Sequence, residues 1–360
     1  MAAFEQGKVV RVAEEARGLV ALVVDLGGRE VEALAFPALL GPVGEGDRVV
    51  VNTTGLALGL GTGGVGFVLW NLDGPGPQGP GPGHIIKLRY TPYQTEVLAA
   101  EAPESPYHAL LRDADSIAGM PVVACGLHSQ VAGVAAGVKA ALPEARLGYL
   151  MTDGAALPYA FSRLARALEE AGLIDSSCSA GHAFGAQHEA VNVFSGLAVL
   201  RVVARCDVAV VAMGPGIVGT ATKLGFTGIE QGQVLDAAAA LQGRGVAALR
   251  LSFGDERARH QGVSHHTLSA LGLAARSRAL VAVPSLEPES AELVRAQLDR
   301  AGISKRHELV ELDGAPGVEL LRSRGVTPTS MGRSFDDTLE LHLAAGAAGR
   351  LAAQLLEGAG

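Results

Sequence analysis

The chain has 360 residues, 48% of them hydrophobic and 18% charged, with a formal charge of −8. That length and apolar content exclude a disordered or fibrous chain and leave ample core for one large domain, or a large and a small one. The acidic balance excludes the basic face that a nucleic-acid partner requires, and no run of about 18 uncharged apolar residues exists to cross a membrane. The opening residues, MAAFEQGKVV, contain no apolar signal core. Cys125, Cys178 and Cys206 are odd in number and lack metal spacing, which predicts reduced thiols in a cytoplasmic protein.

Residues 1–72 read as all-β. Short β-rich runs occur at Lys8–Val12, Leu19–Leu26, Glu30–Ala35, Arg48–Asn52 and Gly66–Trp70, with Gly27 and Gly28 marking a hairpin turn. They predict a small barrel or barrel-sandwich domain of five or six strands. The cluster LGLGTGGVG (58–66) contains G-x-G-x-x-G, but the same pattern recurs at Gly74, Gly76 and Gly79, and no helix follows the cluster. It therefore reads as a glycine-rich turn rather than a phosphate loop. DGPGPQGPGPG (73–83) is a Pro/Gly linker, and 84–360 is the expected ligand-binding domain.

Beyond the linker, β and α patterns alternate. Strands are expected at Ile85–Arg89, Val122–Leu127, Leu147–Met151, Val208–Met213, Val246–Ser252, Leu280–Val283 and Leu309–Leu312. Helical patterns lie between them, including one at His188–Ala204 and a closing helix at Asp336–Leu356. Near-continuous apolar strands separated by single helices predict a mostly parallel, doubly wound, Rossmann-like α/β domain. Ligands in such sheets bind at the carboxyl ends of the strands, so the residues just beyond each strand carry the functional expectation.

Those positions are polar. His128 follows the Val122 strand, Asp153 the Leu147 strand, and a glycine loop with Gly214, Gly216, Gly219, Thr220, Thr222 and Lys223 follows the Val208 strand. The loop has G-x-G-x-x-G spacing after a strand, but its helix is delayed past Gly228, no acidic partner follows the next strand, and no Lys-Ser/Thr pair makes it a P-loop. A general anion-binding loop is the expectation, with the two threonines and Lys223 as side-chain donors. After the Val246 strand comes GDERARHQGVSHHTLSAL (254–271), where Arg257 and Arg259 would clamp charge. Ser264 is an expected N-cap, putting His265 and His266 in a first helical turn, where imidazoles stay neutral. Asp153, His260, His265 and His266 are the candidate acid–base groups; His128 joins the ligand-binding set. No metal is assigned: H-x4-H-H matches no metal motif, and neighbours on a helix point about 100° apart.

In SCSAGHAFGAQHEAVN (177–192), His188 and Asn192 would share a helix face, and Cys178 reads as a buried inert thiol. Ser334, with Asp336 and Asp337, caps the last helix. Acyl-transfer, zincin and kinase signatures are missing from the sequence.

The phrases LGTGGVGFVLWNL, GPGIVGTATKLGFTGIEQG and GDERARHQGVSHHTLSAL resemble a bacterial family of proteins of unknown function, over nearly the whole chain. The resemblance implies a cytoplasmic bacterial protein and brings no reaction, cofactor or site residue with it. Three functions stay open: an enzyme acting on a small phosphorylated or nucleotide-like anion, a non-catalytic sensor or scaffold, and a metal-dependent hydrolase. The expected partner is a small anionic molecule, without nucleic acid or membrane; a homo-oligomer is compatible with the sequence.

Overall fold

The computed structural model describes residues 3–57, 64–77 and 83–358, which fall into two units that divide between Leu98 and Ala99. In the first unit, strands β1 (Phe4–Ala16), β2 (Leu19–Asp25), β3 (Glu30–Ala35), β4 (Arg48–Asn52) and β5 (Gly66–Asn71) close a barrel in the order β1-β2-β3-β5-β4. Alternation drives the closure: Leu22 and Val24 of β2 and Val49 and Val51 of β4 point into one buried core. β1 runs longer than its pattern predicts because irregularities after Val9 and Val12 shift its register. The β2–β3 turn needs positive φ at both central residues, and Gly27 (73°) and Gly28 (96°) supply it. The glycine cluster at 58–63 and linker residues 78–82 lie outside the described residues. Strand β6 (Ile85–Lys87) pairs with β7 (Thr95–Val97) in a separate ribbon, not in the parallel sheet as expected; Leu88 and Tyr90 have positive φ and end the run.

The second unit holds an eight-stranded parallel sheet. Its strands are β8 (Pro121–Ala124), β9 (Leu147–Thr152), β10 (Ser176–Ser179), β11 (His188–Glu189), β12 (Val208–Met213), β13 (Arg244–Ala248), β16 (Leu280–Pro284) and β17 (Glu308–Leu312). The order is β11-β10-β9-β12-β8-β13-β16-β17, with the short pair β14 (Leu251–Ser252) and β15 (Gly262–Val263) standing apart. Along β12, Val208, Val210 and Ala212 face one hydrophobic cluster while Ala209 and Val211 face another, so both sheet faces are covered. Helices Gln130–Ala141, Arg163–Glu170 and Leu339–Glu357 cover the first face; Glu230–Ala240 and Pro288–Arg300 cover the second.

One strand is unexpected and one expected helix differs. β10 reads SSCS and has no apolar run, yet it is buried, because Ser176 Oγ donates to Gln187 Oε1 and Ser179 Oγ to Glu189 Oε2, both at 2.9 Å. His188–Glu189 is a strand rather than the start of a helix. Asn192 is instead the N-cap of Val193–Ala198 through a reciprocal capping box with Ser195, so His188 and Asn192 do not share a helix face.

Connections from the adjacent strands β9 and β12 leave in opposite directions, to β10 under one face and to β13 under the other, making a topological switch point. Nearby, two fully buried glutamines tie β8 to β13. Gln130 accepts the Gly126 and Leu127 amides at 3.0 Å and donates to the Leu249 carbonyl at 2.9 Å. Gln231 donates to the carbonyls of Ala124 and Ala248, both at 2.8 Å.

Glycines let helices Gln130–Ala141 and Leu339–Glu357 touch backbone to backbone. A methyl on Gly137 would fall on the Gly346 carbonyl, and one on Gly349 on the Val134 carbonyl. Gly137→Val is expected to lower the unfolding free energy by about 1–3 kcal/mol, read as a drop in the urea midpoint; an unchanged midpoint would refute this packing.

Candidate functional site

The densest polar cluster forms where the chain leaves β13 and β14. The loop after Ser252 makes a 3-10 turn at Ala258–His260, pairs through β15 and reaches Ser264, whose Oγ accepts the His266 amide at 3.3 Å. That is the expected N-cap, and it starts helix His265–Ser269. Three imidazoles then meet. Ring centroids are 5.0 Å apart for His260 and His265, 5.2 Å for His260 and His266, and 4.3 Å for His265 and His266. One ring nitrogen from each lies within 4.8 Å of the others. The angular separation expected of His265 and His266 is bridged by side-chain reach and by His260 entering from the loop. Phe226, from the glycine loop, stacks on His266 at 4.1 Å and 3°.

All three imidazoles are held neutral. Burial, then the Arg250 charge, pushes His260 and His266 down to about 3; His265 is lowered by burial and then Arg259. Arg250 itself is only 7% exposed. Its Nη1 donates to His266 Nδ1 at 3.1 Å. A guanidinium has donors only, so Nδ1 must accept, and the proton of neutral His266 sits on Nε2. Among the described residues, no carboxylate forms an ion pair with Arg250. The nearby Asp255 spends its oxygens on Arg257, at 2.9 and 2.8 Å, with Arg333 at 3.8 Å. Burial, with Arg257 next, pushes the Arg250 guanidinium down to about 10.

A cavity of about 150 Å³ opens against this cluster, lined by Arg250, Arg257, Arg259, His260 and His266. Gly219, Ile217, Ala221 and Met331 form its other wall. Two expected segments therefore meet here: the glycine loop through Gly219 and the arginine–histidine loop. Gly219 sits close under the ring: a methyl on it would stand a tight 3.2 Å from His266 Cε1 and Nε2.

The other expected residues lie elsewhere. Gly214 packs against the Ala156 carbonyl, and Gly216 serves a φ of 106°. The loop from 217 to 227 is a hairpin rather than an open cradle. Gly219 bridges Phe226, the Thr220 amide donates to Gly225 O at 2.8 Å, and Thr220 and Thr222 hydroxyls bond each other at 2.9 Å. Their donors are spent inside the turn, and Lys223 is exposed and does not line the cavity. His128 is removed too: burial pushes it to about 4, with Nε2 2.7 Å from Ser162 Oγ and Nδ1 3.1 Å from Tyr149 Oη. Asp153 is exposed and accepts the His182 amide at 2.8 Å.

Sequence reasoning passed over Arg250, Phe226 and Glu230. Arg250 carried one signal, a charge within the apolar run Val246–Ser252. Glu230 opens helix Glu230–Ala240 at the β9/β12 switch point, where Thr152 Oγ1 donates to its Oε1 at 2.6 Å. Burial, then the Asp153 charge, raises its carboxyl to about 7.

The family model described as "Protein of unknown function (DUF3866)" matches residues 32–349. No curated protein and no solved structure matches the chain.

Glu230 predicts a pH dependence of stability. Its folded pKa is raised above the ordinary 4.5, so the folded state holds more protons between about 4.5 and 7, and stability falls as pH rises through that window. The depressed imidazoles act with opposite sign but cancel in a comparison with Glu230→Gln. The variant should gain about 1–3 kcal/mol on wild type from pH 4.5 to 7.5 in urea titrations; parallel profiles would exclude the buried carboxyl.

Proposed function

The chain belongs to the family of proteins of unknown function DUF3866, and from its site we propose that the α/β unit binds a small phosphorylated or similarly anionic compound in the cavity beside Arg250. One observation carries the reading: Arg250 is buried, lines the cavity and, among the described residues, has no carboxylate paired with it, Asp255 acting on it only at longer range. An uncompensated buried ion costs several kcal/mol, and a bound anion removes that cost. Arg259 adds positive charge on the same wall, whereas the Arg257 fork is already paired with Asp255; a guanidinium fork matches phosphate oxygens in pairs.

Size narrows the ligand. A cavity of about 150 Å³ holds roughly six non-hydrogen atoms, enough for a phosphoryl head group. The rest of a nucleotide-like molecule would lie outside it. Acid–base catalysis works best with a group whose pKa lies near the working pH. His260 and His266, held near 3, are suited instead to hydrogen bonding as neutral rings. Recognition without turnover, as in a sensor, is therefore the reading favoured over catalysis by the three histidines. Metal-assisted hydrolysis is disfavoured by charge: three guanidiniums face the cavity, and His266 must lose its Nε2 proton to ligate.

Melting curves test the proposal. At constant ionic strength, sulfate should raise the melting temperature of wild type and leave Arg250→Met unmoved. Without anion, Arg250→Met should melt at or above wild type, because replacing an uncompensated buried charge by an apolar chain is neutral or stabilising. If neither sulfate, a phosphate monoester nor a carboxylate raises the wild-type melting temperature, the proposal fails.

A further inference from the structure

We infer that the cavity selects oxyanions carrying no proton, so that a phosphate monoester dianion or sulfate binds in preference to inorganic hydrogen phosphate; the inference rests on the anion-site reading above.

The polar side chains lining the cavity are three guanidiniums and two imidazoles, with no carboxylate, hydroxyl or carboxamide among them. Guanidiniums only donate. The two imidazole tautomers can be assigned from their partners. Arg250 donates to His266 Nδ1, which leaves the proton on Nε2. Ser264 Oγ, fully buried, already accepts the His266 amide, and among the described residues its own hydrogen has one acceptor within reach, His260 Nδ1 at 2.7 Å. The hydroxyl therefore donates to Nδ1, and His260 also carries its proton on Nε2. Every polar side chain on this wall is then a donor.

A donor-only wall reads protonation. Near neutral pH inorganic phosphate carries at least one O–H, and that hydrogen finds no side-chain acceptor in the cavity. Sulfate and a phosphate monoester dianion offer acceptors alone. Asp255, a carboxylate bonded to the wall residue Arg257, is committed to Arg257 and Arg333 and held well below the usual carboxylate range by its Arg257 hydrogen bonds. His265, packed against both other rings but not lining the cavity, is also lowered, by burial first. Arg250, His260, His266 and Asp255 thus keep their state between about pH 5 and 8, and the change expected in that interval is the ligand's, since a phosphate monoester takes up its second proton near pH 6.

Titration calorimetry on the full chain, with sodium sulfate, methyl phosphate and inorganic phosphate at constant ionic strength, separates the possibilities. At pH 7.5 sulfate and methyl phosphate should bind about tenfold more tightly than inorganic phosphate, the ratio set by one unpaired buried donor. At pH 5 methyl phosphate should weaken about tenfold while sulfate is unchanged. Met331→Asp, at a half-exposed position on the wall, supplies the missing acceptor and should narrow the gap between sulfate and inorganic phosphate. Equal binding of inorganic phosphate and sulfate by wild type, or sulfate binding that strengthens at pH 5, overturns the selectivity and leaves the anion site standing. Failure of all three anions to bind overturns the anion site itself.

Discussion

Two buried glutamines hold the geometry on which the site depends. Gln130 and Gln231 bond the chain where it leaves β8 and β13, at Ala124, Gly126, Leu127, Ala248 and Leu249. A strand end buried on both faces has amides and carbonyls that neither ladder nor water can satisfy. The glutamine side chains satisfy them without bringing charge into the core. Arg250 follows directly on the last of these anchored residues, so its direction of departure from the sheet is set by bonds far stiffer than a surface loop would provide.

From that anchor the site assembles by contacts both across the chain and within the loop. Arg250 meets His266 sixteen positions later, Ser264 meets His260, and Phe226 arrives from the loop after β12 to cover the His266 ring. Each partner limits what the next can do. The guanidinium fixes the tautomer of one imidazole, the N-cap hydroxyl fixes that of another, and shared burial keeps both rings neutral. Charge at the cavity therefore comes from arginine, and direction comes from histidine.

Much of this was legible in the sequence, and the parts that were not share a cause. Barrel strands and the apolar strands of the parallel sheet declare themselves by period, since burial on one or two faces needs a matching residue pattern. β10 escaped because SSCS satisfies its buried hydroxyls through Gln187 and Glu189, partners at least ten residues away. The arginine–histidine loop stood out by density in an apolar chain. The glycine loop misled, because a hairpin that spends its donors internally has the composition of one that offers them to a phosphate. Arg250 escaped for the opposite reason: a single charge inside an apolar run looks like an edge of the strand, and only the missing carboxylate, a fact about neighbours, gives it meaning.

A buried guanidinium on a cavity wall also bears on how long the folded chain survives. Proteases cut what opens, and opening is easiest where a buried ion has no counterpart. If an anion binds there as proposed, neutralising Arg250 would close that route, and the steady-state amount of protein would then follow the anion's supply through degradation alone, with no change in synthesis.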